Sequence, residues 1–250
     1  PFLEKENFQV SVSPLFNEQY VQNLYSSQRQ VKFLNPVNAY LKRIARLLFS
    51  YSYDLVWMEK EALPWFPAFL EKLLYRSSFP YVIDYDDAVF HRYDQHDNPI
   101  VSGFLSKKIE KIMAYSTVVV AGNKYIADYG EKAGALKVEV LPTVLDISKY
   151  NVKENFNSSS FRVGWVGSPS TSHHINIASK ALIIFCQREN TEFVAVGALQ
   201  KDLDKIPSQL VDWNEKTETM EFSHFDVGIM PLPDTPWERG KCGFKLIQYM

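Results

Sequence analysis

Short runs rich in β-branched residues alternate with amphipathic runs at helical spacing, and this alternation restricts the fold of the chain more than any other feature. The run 117–121 (TVVVA) lacks polar alternation, as expected of a central parallel strand buried on both faces. The run 37–49 places Leu41 and Leu48 on one helical face and Lys42 on the opposite one. Strands and helices in turn imply βαβ crossovers and parallel sheets with helices on both faces. Further strands are predicted at 8–12, 53–58, 80–84, 138–141, 161–166, 193–196 and 225–230, and further helices at 18–25, 68–75, 105–115, 124–132, 175–187 and 243–250.

Composition narrows the class of protein. With 46% hydrophobic and 22% charged residues, the chain is typical of a folded protein. Its 27 basic and 29 acidic residues leave a net charge of -2, which disfavours binding of nucleic acid through phosphates. Two cysteines, Cys186 and Cys242, favour a reduced, intracellular setting. No apolar run approaches about 18 residues and no export leader is visible, so a cytoplasmic location is expected.

The alternation is interrupted once, between Asp146 and Ser160. The segment there is polar and closes with the run NSSS at 157–160. We therefore predict a first domain at 1–150, a linker at 151–160 and a second domain at 161–250. The chain starts without a helix cap and stops inside an apolar-periodic stretch. From this we expect a fragment that is truncated at both ends, with an incomplete second domain.

Ligands of doubly wound folds bind outside the carboxyl ends of the strands, so the strand-to-helix loops are the places to search. The loop 84–87 (DYDD) carries three carboxylates, which suit a divalent metal, a base with hydrogen-bond acceptors for a polyol, or helix N-caps. Zinc is disfavoured in the following loop because neither a cysteine nor a regular histidine pair accompanies His91. A solvated loop beside a ligand site is the alternative there.

Two later loops suit phosphate. The run 164–172 (GWVGSPSTS) leads from a strand into a helix. Its small residues would let a phosphate approach backbone N–H groups at the start of that helix. The run matches neither the P-loop motif nor the full dinucleotide-binding fingerprint. The adjacent His173 and His174 are expected in a solvated first turn. Lys241 and Lys245 lie one turn apart at a predicted helix start, where cations oppose the helix dipole, so a site that collects anions explains them best.

Several runs occur in an order that resembles a known family: YVIDYDDAVF at 81–90, VVAGNKYIA at 119–127, VLPTVLD at 140–146, VGWVGSPST at 163–171, FDVGIMPL at 225–232 and WERGKCGFKLIQYM at 237–250. The chain is thus similar, from about Phe8 to Met250, to the group 1 glycosyltransferases of family 4, which have the GT-B fold. The resemblance implies two Rossmann-like, doubly wound parallel-sheet domains that face each other across a cleft. It further implies a retaining hexosyltransferase that needs no metal or other cofactor.

The resemblance also implies roles for particular residues. Asp86, Asp87 and His91 would be the catalytic residues and would orient the acceptor hydroxyl. The donor, a nucleoside-diphosphate sugar, would be bound by Gly167, Ser168, Pro231, Leu232, Trp237, Gly240, Lys241, Lys245 and Gln248. The acceptor would be a glycan or a lipid-linked acceptor in surface polysaccharide biosynthesis, and no nucleic acid would be bound.

Departures from the family pattern leave alternatives open. Many members carry two glutamates eight residues apart around the last helix, and here Gly240 and Gln248 occupy those positions. One alternative is therefore a catalytically inactive sugar- or nucleotide-binding module, and another is a sugar-nucleotide epimerase of the same fold. The fragment alone is expected to be inactive.

The helix at 37–49 has two interpretations. Lys42, Arg43 and Arg46 beside the run 47–49 (LLF) suit peripheral contact with the inner face of the cell membrane. An ordinary amphipathic core helix is the alternative.

Overall fold

The computed structural model describes residues 2–16, 34–150 and 160–250 and shows an α/β chain with two parallel sheets of four strands each. The first sheet contains β1 (Val56–Glu59), β2 (Tyr81–Tyr85), β3 (Val118–Ala121) and β4 (Val138–Val140), and the second contains β5 (Phe161–Val166), β6 (Thr191–Val196), β7 (Gln209–Val211) and β8 (Val227–Gly228). The described helices are α1 (Phe2–Lys5), α2 (Leu34–Leu48), α3 (Phe69–Arg76), α4 (His91–Asp94), α5 (Pro99–Leu105), α6 (Lys108–Tyr115), α7 (Lys124–Lys132), α8 (Ser179–Cys186), α9 (Glu218–Ser223), α10 (Pro236–Arg239) and α11 (Phe244–Tyr249). Short 3-10 turns lie at Ser50–Ser52, Ile147–Lys149, Ser172–Ala178 and Gln200–Asp202.

The first sheet has the strand order β1-β2-β3-β4. Strands β1 and β2 run parallel, with Val56 opposite Tyr81 and Glu59 opposite Asp84. The strand β3 is apolar throughout and its last three residues are buried, because helices cover such a sheet on both faces. Asparagines cap two helices of this part of the chain. The Oδ1 atom of Asn98 accepts the N–H of Ile100 at the start of α5, and the Oδ1 atom of Asn123 accepts the N–H of Ile126 at the start of α7.

The second sheet has the order β7-β6-β5-β8, in which β5 pairs with β6 along its whole length and with β8 over two residues. Its core lies on the two faces of β5 and β6. Trp165 and Phe193 pack on one face with residues of α8, and Val166 and Val196 pack on the other with Phe225 of the chain before β8. This order places β5 at the centre of the sheet, so the loop after β5 leaves from the position where α/β sheets bind ligands.

The chain divides into two compact units. The first contains 1–84, 93–119 and 130–138, and the second contains 85–92, 120–129 and 139–250. The predicted domain boundaries remain predictions, and residues 151–159 of the predicted linker lie outside the described residues. No helix in the described part of the chain is long and apolar enough to cross a membrane.

Most predicted elements are present with bounds shifted by a few residues, and the predicted strand 161–166 has the predicted bounds. The strand predicted at 8–12 is wrong: Phe8 and Val12 are exposed and form no strand pairing. The helix predicted at 175–187 begins as the 3-10 turn Ser172–Ala178 and becomes α-helical only at Ser179. The helix predicted at 18–25 lies outside the described residues.

Candidate functional site

The loops after β5 and β6 each begin with a glycine that has no room for a side chain. A Cβ atom on Gly167 would lie 2.5 Å from the ring of Trp165, which is buried below it. The loop after β6 approaches from the side, where Gly197 has a φ of +76° and a Cβ on it would lie 2.3 Å from the carbonyl oxygen of Gly167. Glycine adopts that backbone conformation without strain, so the two loops can meet backbone to backbone. The N–H of Gly167 donates a hydrogen bond of 3.1 Å to the carbonyl oxygen of Val196. The binding of a ligand at Gly167 remains a prediction.

Hydroxyl groups line the same loop. The Oγ atom of Ser168 lies 2.8 Å from that of Ser170, and Thr171 donates a hydrogen bond of 3.1 Å to the carbonyl oxygen of Ser168. Ser172 is fully buried, and its single hydroxyl proton lies between two acceptors, the carbonyl oxygen of Pro169 and the carboxylate of Asp202. The buried end of the loop is therefore fixed, and the exposed end presents Ser168 to solvent.

His174, directly after this loop, belongs to a cluster of charged groups. Its Nε2 atom lies 3.9 Å from the carboxylate of Glu238, and both side chains are 12% exposed. Burial lowers the pKa of His174, as do His173 and Lys241, while Glu238 opposes the shift. The predicted turn is present, but it is not solvated at His174, because that side chain is only 12% exposed and lies beside Glu238 of α10.

The segment Gly240–Cys242 meets the segment after β2 within the second unit. A Cβ atom on Gly240 would lie 2.7 Å from the backbone nitrogen of Ala88, so only glycine fits there. The thiol of Cys242 donates a hydrogen bond of 2.9 Å to the carbonyl oxygen of Asp86. Burial raises the pKa of this thiol, and the carboxylates of Asp86 and Asp87 raise it further. Cys242 is therefore a protonated donor, and the two predicted carboxylates lie beside the segment that carries Lys241.

Asn123 joins this arrangement through its side chain. Its Oδ1 atom caps α7, and its Nδ2 atom donates to the carbonyl oxygens of Gly240, at 2.9 Å, and Lys241, at 3.3 Å. One side chain thus fixes both the start of a helix and the backbone that precedes α11. The adjacent Gly122 leaves room for Cys242, because a Cβ atom on it would lie 2.2 Å from the sulfur atom.

The two predicted phosphate-binding lysines differ in their surroundings. Lys245 forms an ion pair with Glu218 of α9 and lies over the ring of Phe222, with 5.4 Å from its Nζ atom to the ring centroid. The Lys241 ammonium has no ion-pair partner among the residues that the structure describes. Of these two lysines, Lys241 is therefore the one whose positive charge is available to an anion.

Gln248 is a buried residue of α11. It is 8% exposed, and its Nε2 atom donates a hydrogen bond of 2.6 Å to the hydroxyl group of Tyr150. Its Oε1 atom is buried and accepts no hydrogen bond from any described residue. Gln248 therefore takes part in packing α11 on the second sheet.

The remaining predicted residues lie around this cluster. His91 Nε2 is 2.9 Å from the hydroxyl oxygen of Tyr125. Pro231 and Leu232 are half-buried in the loop after β8, and Trp237 is half-buried in α10. All of the predicted site residues fall in the second unit, and their roles remain predictions.

Sequence reasoning missed Asn123, His174 and Glu238 and assigned no role to Cys242. Asn123 had one usable signal, because an asparagine before a helical run predicts an N-cap. Nothing in the local pattern indicates its second bond to residues more than a hundred positions away. In the described ranges, no group of three or more His, Cys, Asp or Glu residues is arranged to hold a metal ion.

Comparison with known proteins shows the fold. No protein-family model matches the chain, and no curated protein does. Among solved structures, it is similar to the α,α-trehalose-phosphate synthase (UDP-forming) from Burkholderia vietnamiensis, with a TM-score of 0.55, 10% identity, and coverage of 86% of this chain and 63% of that one. It is also similar to a trehalose-6-phosphate synthase studied for glycosyl transfer with retention, with a TM-score of 0.53, 10% identity, and coverage of 85% of this chain and 62% of that one. For the sucrose-phosphate synthase from Thermosynechococcus elongatus, the TM-score is 0.51, the identity 9%, and the coverage 84% of this chain and 60% of that one.

These similarities establish the GT-B fold, in agreement with the predicted fold class. The chain spans about three fifths of the length of the solved structures that it matches.

Proposed function

We propose that this chain binds a nucleoside-diphosphate sugar and takes part in transfer of the sugar to a glycan or lipid-linked acceptor. The observation that carries this proposal is the position of Lys241. Its segment contacts Asp86 through the Cys242 thiol. On the other side, Glu238, whose carbonyl oxygen accepts the Lys241 N–H, has its carboxylate 3.9 Å from the ring of His174, which follows the loop after β5. The fold supports the same function, because the similar solved structures include a UDP-forming synthase and a synthase studied for glycosyl transfer with retention.

The proposed chemistry is electrostatic. The Lys241 ammonium and the backbone N–H groups of Ser168 and Ser170 stabilise the charge on the departing diphosphate as the sugar–oxygen bond breaks. The acceptor hydroxyl forms the new bond to the sugar and loses its proton to Asp86 or Asp87. The neutral imidazole of His174 contributes no positive charge of its own, so the charge that binds the diphosphate comes chiefly from Lys241.

Calorimetric titration of the chain with UDP and UDP-glucose tests the proposal. Removal of one charge-assisted contact costs about 1.5–3 kcal/mol, so Lys241→Gln is expected to weaken UDP binding at least about tenfold. Lys180→Gln is the matched control, because Lys180 is an exposed lysine in the same unit. Equal UDP affinity of Lys241→Gln and the wild-type chain would refute the proposal.

Finer features of the function stay within the proposal. We infer membership of the family 4 enzymes, retention at the transferred carbon and a role in surface polysaccharide assembly from the motif resemblance. Peripheral membrane contact is supported by α2, where Leu41 is 60% exposed and Leu48 is 48% exposed, and where Lys42 is exposed as well. We expect the wild-type chain to sediment with anionic vesicles and Leu41→Asp to remain in the supernatant. Equal sedimentation of the wild type and Leu41→Asp would contradict membrane contact.

A second candidate function is binding of a nucleotide sugar without turnover. Gly240 leaves no room for a side chain, and Gln248 is buried against Tyr150, so neither position holds a carboxylate. Under this alternative the chain binds UDP-sugar but releases no UDP in the presence of glycan acceptors. Measured release of UDP that depends on an acceptor would exclude it.

A further inference from the structure

The loop after β1 is held by side chains to an unusual degree. Four consecutive residues, 62 to 65, each have a backbone group bound by a side chain from a different helix. The bonds are Ala62 N–H to Glu71 Oε1 (3.0 Å), Lys108 Nζ to Leu63 O (2.7 Å), Tyr40 hydroxyl to Pro64 O (2.8 Å) and Trp65 N–H to the Tyr93 hydroxyl oxygen (3.1 Å).

The anchors of this loop are buried and charged. Lys108 forms an ion pair with Glu61, and the two side chains are 1% and 3% exposed. Tyr93 is fully buried and donates to the same Glu61 carboxylate, at 2.7 to 2.8 Å from its oxygens. A buried ion pair contributes little net stability compared with apolar side chains of the same volume. Its evident effect here is to fix the path of the loop.

The loop is also strained where it is fixed. Lys60 and Trp65 both have a φ of +64°, in the left-handed region that residues with side chains rarely adopt. Such strain persists only where the surroundings over-determine the backbone, and it concentrates at binding and catalytic sites.

What the loop presents to solvent is aromatic. Trp65 is 48% exposed and Phe66 49% exposed, although the Trp65 ring is held edgewise at 5.5 Å from Tyr93 and 5.6 Å from His96. A polar group borders the indole: His96 accepts the N–H of Asn98 at its Nδ1 atom, which leaves Nε2 as a donor. The loop also lies at the carboxyl end of β1, the edge at which α/β sheets bind ligands.

We propose that Trp65 is a binding platform for a pyranose ring, a site separate from the donor site proposed above. A sugar ring has an apolar C–H face that packs on an aromatic ring, and its hydroxyl groups need donors such as His96 at the rim. A lipid surface fits less well, because the loop carries one basic residue, Lys60, beside the acidic Glu61 and has no basic cluster. A pre-fixed indole also loses little conformational freedom when it binds.

Saturation-transfer NMR with maltotriose and cellotriose tests this site on the whole chain without any donor or turnover. Transfer from protein aromatic protons to sugar C–H protons is expected for the wild type, kept in Trp65→Phe, and reduced at least about fivefold in Trp65→Ala. Trp65→Gly, in which glycine suits the positive φ, should lose the signal without backbone strain. Phe104→Ala removes an 83% exposed aromatic of the same unit and should leave the signal unchanged.

Several results would overturn the proposal: no transfer to either trisaccharide, equal transfer in Trp65→Gly, or transfer to uridine but not to the sugars. Sedimentation that shows self-association of the wild type, abolished in Trp65→Gly, in the absence of sugar signals would assign the surface to a second copy of the chain. Because UDP binding is measured separately, failure of this site and failure of the proposed function are distinguishable.

Discussion

At the scale of single residues, Gly240 is a position of the candidate site that has no room for a side chain. In Gly240→Ala the new methyl group would lie 2.7 Å from the backbone nitrogen of Ala88 and 2.9 Å from its Cα atom. Overpacking of this kind typically costs about 1–3 kcal/mol, and we expect that loss of stability in urea unfolding.

The matched control for this change is Gly103→Ala. Gly103 lies in α5, and a methyl group added there would meet no neighbouring atom within 4 Å, so alanine should stabilise the chain by about 0.5–1 kcal/mol. The packing argument fails if the two variants have the same stability.

His174 should make the stability of the second unit depend on pH. Since burial lowers the pKa of folded His174, the unfolded chain binds the proton first as the pH falls. The contribution of the neutral His174 ring to the free energy of unfolding is therefore fully present above the ordinary histidine pKa of about 6.5, and it is lost as the pH falls below that value. We expect the difference in Tm between the wild type and His174→Gln to be larger at about pH 7.5 than at about pH 5.5.

Thermal unfolding of His174→Asn, a second neutral replacement, should show the same trend. A difference that stays constant or grows as the pH falls would show that the ring is not buried as a neutral group.

At the scale of elements, α11 is attached to the second sheet by Tyr249. Its hydroxyl oxygen accepts the N–H of Val166 at 2.9 Å, beyond the two-residue pairing of β5 with β8. Burial raises the pKa of Tyr249 to about 12. Tyr249→Phe leaves the Val166 N–H without this acceptor, so we expect a loss of about 1–3 kcal/mol in the free energy of unfolding.

Tyr75→Phe is the control for this prediction, since Tyr75 is 55% exposed and the change should stay within about 0.5 kcal/mol. Equal stability of the two variants would mean that the hydroxyl of Tyr249 does not support β5.

Some elements could be predicted from local pattern and others could not. The strand β5 has six residues, four of them buried, and its apolar run defines it in the sequence. The strand β7 has three residues, none of them buried, so no local signal distinguishes it from a loop. It is a strand because it pairs with β6, an interaction that periodicity does not encode.

At the scale of the whole molecule, the division into two units predicts where a bound diphosphate acts. All residues of the proposed donor site belong to the second unit. Saturating UDP should therefore slow amide hydrogen exchange in buried strands of that unit, β5 and β6 above all, because a ligand that binds only the folded state stabilises it. Exchange in β1 and α3 of the first unit is the internal reference.

Slowing of the same size in β1, α3 and β5 would contradict a donor site confined to the second unit. The same experiment on Lys241→Gln should show little protection at the UDP concentration that protects the wild type.

The sequence alone determined the fold class and the strand-end loops that carry glycine, serine and lysine, because periodicity and turn chemistry act over a few neighbouring residues. Only the tertiary structure decided which of these groups meet. It pairs Lys245 with Glu218, buries Gln248 and brings Cys242 to the carbonyl oxygen of Asp86, 156 positions away. Such long-range contacts follow from the packing of whole elements, whose energy is spread over many side chains and leaves no pattern at the residues that finally touch.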